Sequence, residues 1–243
     1  MRKRVLVTRP EPGASETASR LAELGHVPIK LALQETRALA VPGGTASGNF
    51  AAVAVTSANA VRHAPRALLK HLSSLPCFAV GEATAAAARA SGFAHVTEAG
   101  GDAGTLAGTI AAAQPAGTLI YLCGRIRRPL FEQRLANAGV RVEAVETYCT
   151  TRRVPSSDEV IAATGASAVD VVLIYSANAA EAMVATAGKP GLRPLFEPAS
   201  YLCLSPRIAE ALTGKVSGRV MAAAQPSEAA LLALIHHVGR AAS

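Results

Sequence analysis

Several short peptides in this chain of 243 residues follow an apolar run and carry groups able to hold an anion. They are Thr8-Arg9-Pro10, Thr56-Ser57-Ala58-Asn59, Gly81-Glu82-Ala83-Thr84, Cys123-Gly124-Arg125, Tyr175-Ser176-Ala177-Asn178, Ser205-Pro206-Arg207 and Gln225-Pro226-Ser227. Most put a small hydroxyl or amide where a helix would open. A helix start presents unpaired backbone N–H groups and partial positive charge, which favour carboxylates and phosphates. Several such starts around one cleft suit a ligand with many carboxylates. Each also has a plainer reading, because Ser and Asn at a helix start are ordinary caps. The recurrence of Ser-Ala-Asn-Ala at 57–60 and 176–179 fits a duplicated cap as well as a duplicated binding edge. Tyr148 is a further candidate. Its phenol could give a proton or hydrogen bond to a leaving hydroxyl, or it could be a strand aromatic packed on a neighbour.

Other machinery is missing. No Gly-x-Gly-x-x-Gly follows an apolar run, and there is no phosphate-loop lysine and no Gly-x-Ser-x-Gly. The six His and four Cys have no metal-ligand spacing. Hydride transfer, phosphoryl transfer, triad hydrolysis and metal catalysis lose support. Acid–base or electrostatic catalysis on a bound anion remains. The formal charge is +7, and residues 37–150 hold ten of the 24 Lys/Arg and six of the 17 Asp/Glu, so +4 falls there and +3 in the rest. Basicity spread in this way, with no Lys/Arg block, suits a small acidic ligand better than nucleic acid.

The elements that must position these groups alternate. Strands are expected at 4–8, 27–33, 51–56, 77–80, 118–123, 140–148, 170–175, 200–204 and 217–222, with helices between most of them. Aromatics are only 4% against 50% hydrophobic residues, so the core is Ala, Val and Leu, as in parallel sheets covered by helices. Ala14, Ala18, Leu21 and Ala22 are expected on the buried face of the first helix, which Gly25 ends; Gly92, Gly139 and Gly214 repeat that ending. Pro28 lacks an N–H and makes its strand an edge. Cys77, Cys123, Cys149 and Cys203 are expected to be buried thiols in a reducing compartment. No signal peptide or bilayer-spanning run is read, so a soluble cytoplasmic protein is expected.

The chain also repeats itself. Residues 4–36 resemble 118–150, residues 51–60 resemble 170–179, and 77–90 resemble 201–213 more weakly. The order A, B, A′, B′ points to two similar lobes. The linker-like stretches 37–50 and 151–157 favour a contiguous lobe at 37–150 and a discontinuous one from 1–36 and 151–243.

Taken in order, VLVTRPEPGA at 5–14, VTSANAVR at 55–62, AVGEATAAAARASGF at 79–93, GxxVxxVExYxT at 139–150, YSANAAEA at 175–182 and LSPRIAEAL at 204–212 resemble the uroporphyrinogen-III synthase family over nearly the whole chain. The resemblance implies an α/β fold of two similar lobes, each a parallel sheet flanked by helices (flavodoxin-like), joined by a two-stranded linker. It implies a lyase of heme biosynthesis that closes hydroxymethylbilane to uroporphyrinogen III. No cofactor or metal, no nucleic acid and no membrane would be needed, and a monomer is expected. Tyr148 takes the catalytic place. By the same resemblance Arg9, Ser57, Thr84 and Ser176 take substrate-binding places; Asn59, Arg125, Asn178 and Arg207 are expected to bind substrate from their positions at the strand ends. One departure stands out: many members carry Gly-Pro-Thr-Thr where this chain has Ser205-Pro206-Arg207-Ile208, so Arg207 replaces a pocket threonine. Two other functions compete: a non-catalytic tetrapyrrole- or anion-binding module of the same fold, and a nucleotide-sugar transferase. Thr84 and Tyr148 favour the enzyme over the first, and the lack of an acidic metal-binding pair disfavours the second.

Overall fold

The structure is a computed structural model and describes residues 1–239. In chain order it runs β1 (Arg4–Val7), α1 (Gly13–Glu23), β2 (Val27–Lys30), β3 (Gln34–Ala38), β4 (Ala52–Val55), α2 (Ala58–Arg62), α3 (Arg66–Leu72), β5 (Pro76–Ala79), α4 (Glu82–Ala90) and β6 (His95–Glu98). It continues with α5 (Ala103–Ala113), β7 (Leu119–Gly124), α6 (Leu130–Asn137), β8 (Val142–Arg152), α7 (Ser157–Thr164), β9 (Val171–Ile174) and α8 (Ala177–Ala187). Last come α9 (Arg193–Phe196), β10 (Ser200–Cys203), α10 (Pro206–Glu210), β11 (Val220–Ala222) and α11 (Glu228–Ala233). These elements form two compact units, one from Met1–Glu35 with Thr151–Ser243, the other from Thr36–Thr150.

The discontinuous unit holds a parallel sheet in the order β11-β10-β9-β1-β2. The contiguous unit holds β3-β8-β7-β4-β5-β6, with β4 to β8 parallel. Numbered from the duplicated strand–helix–strand, both units have the order 2-1-3-4-5, the flavodoxin order. In the contiguous unit strands three to five precede strands one and two in the chain. The remaining strand, β3, lies on β8. Leu39 N donates to Thr147 O, the Thr36 and Thr150 hydroxyls meet at 3.0 Å, and Arg153 N donates to Leu33 O. One residue number rises as the other falls, so this ribbon is antiparallel. It carries both passages of the chain between units.

Burial on both faces explains the unbroken apolar strands. Leu6, Val172, Ile174 and Cys203 face one core and Val5, Val7, Val171, Leu173 and Leu202 face the other. In the contiguous unit Val53, Val55, Ile120 and Leu122 are separated in the same way from Ala52, Ala54, Leu119 and Tyr121. Each large aliphatic side chain so buried stabilises the fold by roughly 1.5–3 kcal/mol before chain entropy is counted. Pro28 sits in β2, an edge strand. Gly25 and Gly139 end α1 and α6 at φ +78° and +77°, left-handed positions that glycine reaches without a Cβ clash.

Four expectations need correction. Cys149 is only partly buried, while Cys77, Cys123 and Cys203 are buried. The buried face of α1 is Gly13, Ala14, Thr17 and Leu21, while Ala22 is exposed; the stripe turns toward Thr17, whose hydroxyl donates to Glu228. The stretch 27–33 is strand only to Lys30. Strands β3 and β6, QETRA and HVTE, were not expected, because neither has a buried apolar run. Among the described residues no helix is long and apolar enough to cross a membrane, and no group of His, Cys, Asp and Glu is arranged to hold a metal ion.

Candidate functional site

In open sheets of this order ligands sit beyond the strand carboxyl ends, where the chain crosses over in opposite directions from neighbouring strands. That point lies between β7 and β4 in the contiguous unit and between β1 and β9 in the discontinuous one.

In the contiguous unit the register slips between Cys123 and Gly124. Cys123 pairs with Glu146, but Gly124 pairs with Tyr148. Thr147 is therefore the extra residue of a bulge, a device that bends a strand and re-aims its side chains. The Thr147 hydroxyl turns inward and donates to Ala60 O at 2.8 Å, fully buried. Tyr148 is thereby laid across Gly124: a Cβ added there would stand 2.7 Å from Cζ and 3.0 Å from the phenol oxygen. His63 lies near the ring, with centroids 6.2 Å apart and planes tilted by 31°. Tyr148 is half-buried, and its hydroxyl has no hydrogen-bond partner among the described residues. Burial, assisted by the charge of Arg62, pushes the His63 imidazole pKa down.

The other groups share this edge. Ser57 caps α2, accepting from Asn59 N at 3.2 Å, while the Asn59 side chain is half-exposed and unpaired. Thr84, in the first turn of α4, is 6% exposed. Its hydroxyl has no protein partner, and no buried side-chain N or O among the described residues is left unsatisfied. The Thr84 oxygen therefore keeps access to solvent. Arg125 is already engaged, donating to Glu146 at 3.1 Å; Arg127 bridges Glu146 and Glu132 at 3.0 and 3.2 Å.

The discontinuous unit repeats the pattern with different detail. Ser176 caps α8, accepting from Ala179 N and donating to Gln34 Oε1 at 3.0 Å. Asn178 is exposed. Arg207 is exposed in the first turn of α10 and has no ion-pair partner among the described residues. Thr8 is structural, fully buried and donating to Leu173 O at 2.6 Å. Arg9 lies 4.9 Å from the Tyr175 ring centre and 3.4 Å from Glu228. Glu228 also accepts from Thr17 and pairs with Arg20. Burial pushes the Tyr175 phenol up, and it lies 3.4 Å from the Thr17 hydroxyl.

His63, Thr147, Thr17 and Glu228 were not singled out in the sequence; Gly124 and Tyr175 stood within strand-end peptides but were given no role of their own. A bulge has no local signature, and Glu228 lies far along the chain from Arg9.

Two parallel sheets of one strand order, one unit inserted into the other and both with polar groups at their strand carboxyl ends, define the class: a duplicated, flavodoxin-like α/β protein. Residues 15–233 match the family described as uroporphyrinogen-III synthase HemD, and the chain belongs to that family. Its members are enzymes of heme biosynthesis acting on a small tetrapyrrole. No curated protein matches the chain. Among solved structures, a uroporphyrinogen-III synthetase from Helicobacter pylori 26695 is similar at 19% identity over 98% of this chain and 99% of that one, with a TM-score of 0.64. A mutant uroporphyrinogen III synthase from the extremely thermophilic bacterium Thermus thermophilus is similar at 19% identity over 97% of both chains, with a TM-score of 0.50. At these identities the likeness speaks for the fold.

Proposed function

We propose that the protein is a hydro-lyase that closes hydroxymethylbilane to uroporphyrinogen III with loss of one water. Tyr148 is assigned the proton donor. A proton on the terminal hydroxyl lets it leave as water, and the pyrrole nitrogen supplies the electrons for an azafulvene. The last pyrrole attacks through its substituted α carbon, forming a spiro centre. The older bond at that carbon then breaks, the free α carbon closes the ring, and the proton lost from that carbon balances the one supplied. The observation that carries this reading is the Tyr148 phenol, unpaired among the described residues, against Gly124 and near His63 in a chain of this family.

The remaining groups are assigned to the substrate's acetate and propionate arms. Ser57, Asn59, Thr84, Ser176 and Asn178 lie at starts of α2, α4 and α8, where N–H groups are available. Arg207 is unpaired and meets a carboxylate directly. Arg9 and Arg125 must exchange Glu228 and Glu146 for a substrate carboxylate, so each contributes less than an unpaired cation. We place the protein in the cytoplasm as a monomer, consistent with four free thiols. The test is to feed enzymatically made hydroxymethylbilane, oxidise the product and identify its isomer. Type III is expected. Type I alone, which forms without an enzyme, would leave only a binding module.

A further inference from the structure

A second depression lies at the opposite end of the discontinuous sheet, on the amino side of β10 and β11. It is a cavity of about 600 Å³ with Phe196 and Tyr201 in its wall and Lys189, Arg193, Lys215 and Glu197 around it. Tyr201 is the second residue of β10 and Arg207 follows that strand's far end. A four-residue strand spans roughly 10 Å, so this cavity is separate from the strand-end groups above.

Its floor has one feature that packing leaves unexplained. Tyr201 is 1% exposed, and its hydroxyl has no hydrogen-bond partner among the described residues. A sealed phenol oxygen would count as an unsatisfied buried atom, and none exists among them. The oxygen therefore holds the residue's small exposure, and the opening it can face is the cavity it lines. A buried polar group that a fold leaves unpaired is costly unless something else completes it. Burial holds this phenol protonated, up at about 12, so it is a donor. The rim has three cations against one carboxylate. Arg193 reaches Glu197 only at 4.0 Å, and Lys215 is exposed and unpaired. Pro190 and Val216, more open than the nearly sealed Phe196, supply the apolar part of the lining.

We propose that this cavity is a second binding site, for a small organic carboxylate with a flat apolar body: the Tyr201 hydroxyl donates to the carboxylate, Lys215 and Arg193 neutralise it, and Pro190 and Val216 take the body. The probe is 2-naphthoate, titrated into the full chain by calorimetry, with 2-naphthamide as its uncharged counterpart. Saturable binding of the carboxylate is expected, with the amide at least about tenfold weaker, as a hydrogen bond to a charged group is worth that much or more. Tyr201→Phe keeps the ring and removes the donor, and should weaken 2-naphthoate about tenfold. Lys215→Ala, at an exposed position, should weaken it severalfold and flatten its salt dependence. Binding at the strand-end groups instead would respond to Arg207→Ala and ignore Tyr201→Phe, and that outcome overturns the proposal. So does equal binding of acid and amide, or no saturation in the millimolar range by the native chain. Thermal melts of each variant confirm that it is folded.

Discussion

Gly124→Ala tests whether the bulge aims Tyr148 for a purpose. Nothing in the backbone forbids alanine here, since Gly124 is not among the left-handed glycines. The obstacle is the ring. The new methyl carbon would stand 2.7 Å from Tyr148 Cζ and 3.1 Å from Cε1, whereas carbon atoms rest at about 3.5–4.0 Å. The phenol must retreat by roughly 1 Å. Overpacking of this kind costs about 1–3 kcal/mol of stability, which a folded domain tolerates. If the phenol protonates the leaving hydroxyl, a retreat of that size removes most of its help. Azafulvene formation is driven largely by the pyrrole nitrogen, so that help is set at about tenfold in kcat, or about 1.4 kcal/mol of barrier. Gly124→Ala and Tyr148→Phe should each lose about that much. The double variant should lose little more than either alone, because both act on one hydroxyl. The assay is the rate of type III product from hydroxymethylbilane, with circular dichroism to check folding. Wild-type kcat in a folded Gly124→Ala, or multiplied losses in the double variant, refutes the reasoning.

Three further outcomes are expected. Burial is the main cause lowering the pKa of both His26 and His63, helped by the charges of His236, the amino terminus and Lys3 at the first and Arg62 at the second; stability from these groups is therefore full above about pH 6.5 and falls as acid protonates them. The urea midpoint should drop between about pH 7.5 and 5, less so in a His26→Gln, His63→Gln double variant, and identical slopes would remove the histidines from the account. Glu228→Gln loses charge-assisted bonds from Thr17, Arg9 and Arg20; discounted for the exposure of Arg20, the cost is about 1–2 kcal/mol in urea unfolding, and an unmoved midpoint would make the cluster energetically idle. A fragment of residues 36–150 should unfold cooperatively alone while 151–243 should not, since β1 and β2 are missing from it; cooperative unfolding of the second fragment contradicts the strand order.

Strands were legible where both faces are buried. Val5-Leu6-Val7 and Val171 to Ile174 announce themselves as apolar runs, and Pro28 announces an edge. The edge strands β3 and β6 did not, because solvent takes one or both of their faces and nothing in QETRA or HVTE distinguishes strand from loop. At the site, the strand-end peptides were visible because caps have a residue signature. Their connections were not: Thr147 reaches Ala60 across 87 positions and Thr17 reaches Glu228 across 211. Neither the bulge that turns Tyr148 nor the carboxylates that occupy Arg9 and Arg125 can be read from residues adjacent in sequence.

The permuted strand order bears on how the chain comes off the ribosome. The contiguous unit has all its strands in hand once β8 is made. The other unit opens with Val5, Leu6 and Val7, each 0% exposed at the end, yet their neighbour β9 is still unwritten. Thr8 waits 165 residues for the Leu173 carbonyl it binds. At 5–20 residues per second that is roughly ten to thirty seconds of translation. Through that interval the emerging β1–α1–β2 segment has an open edge and an unsheltered apolar face. The need for shelter during synthesis falls on residues 4–30, not on the contiguous unit.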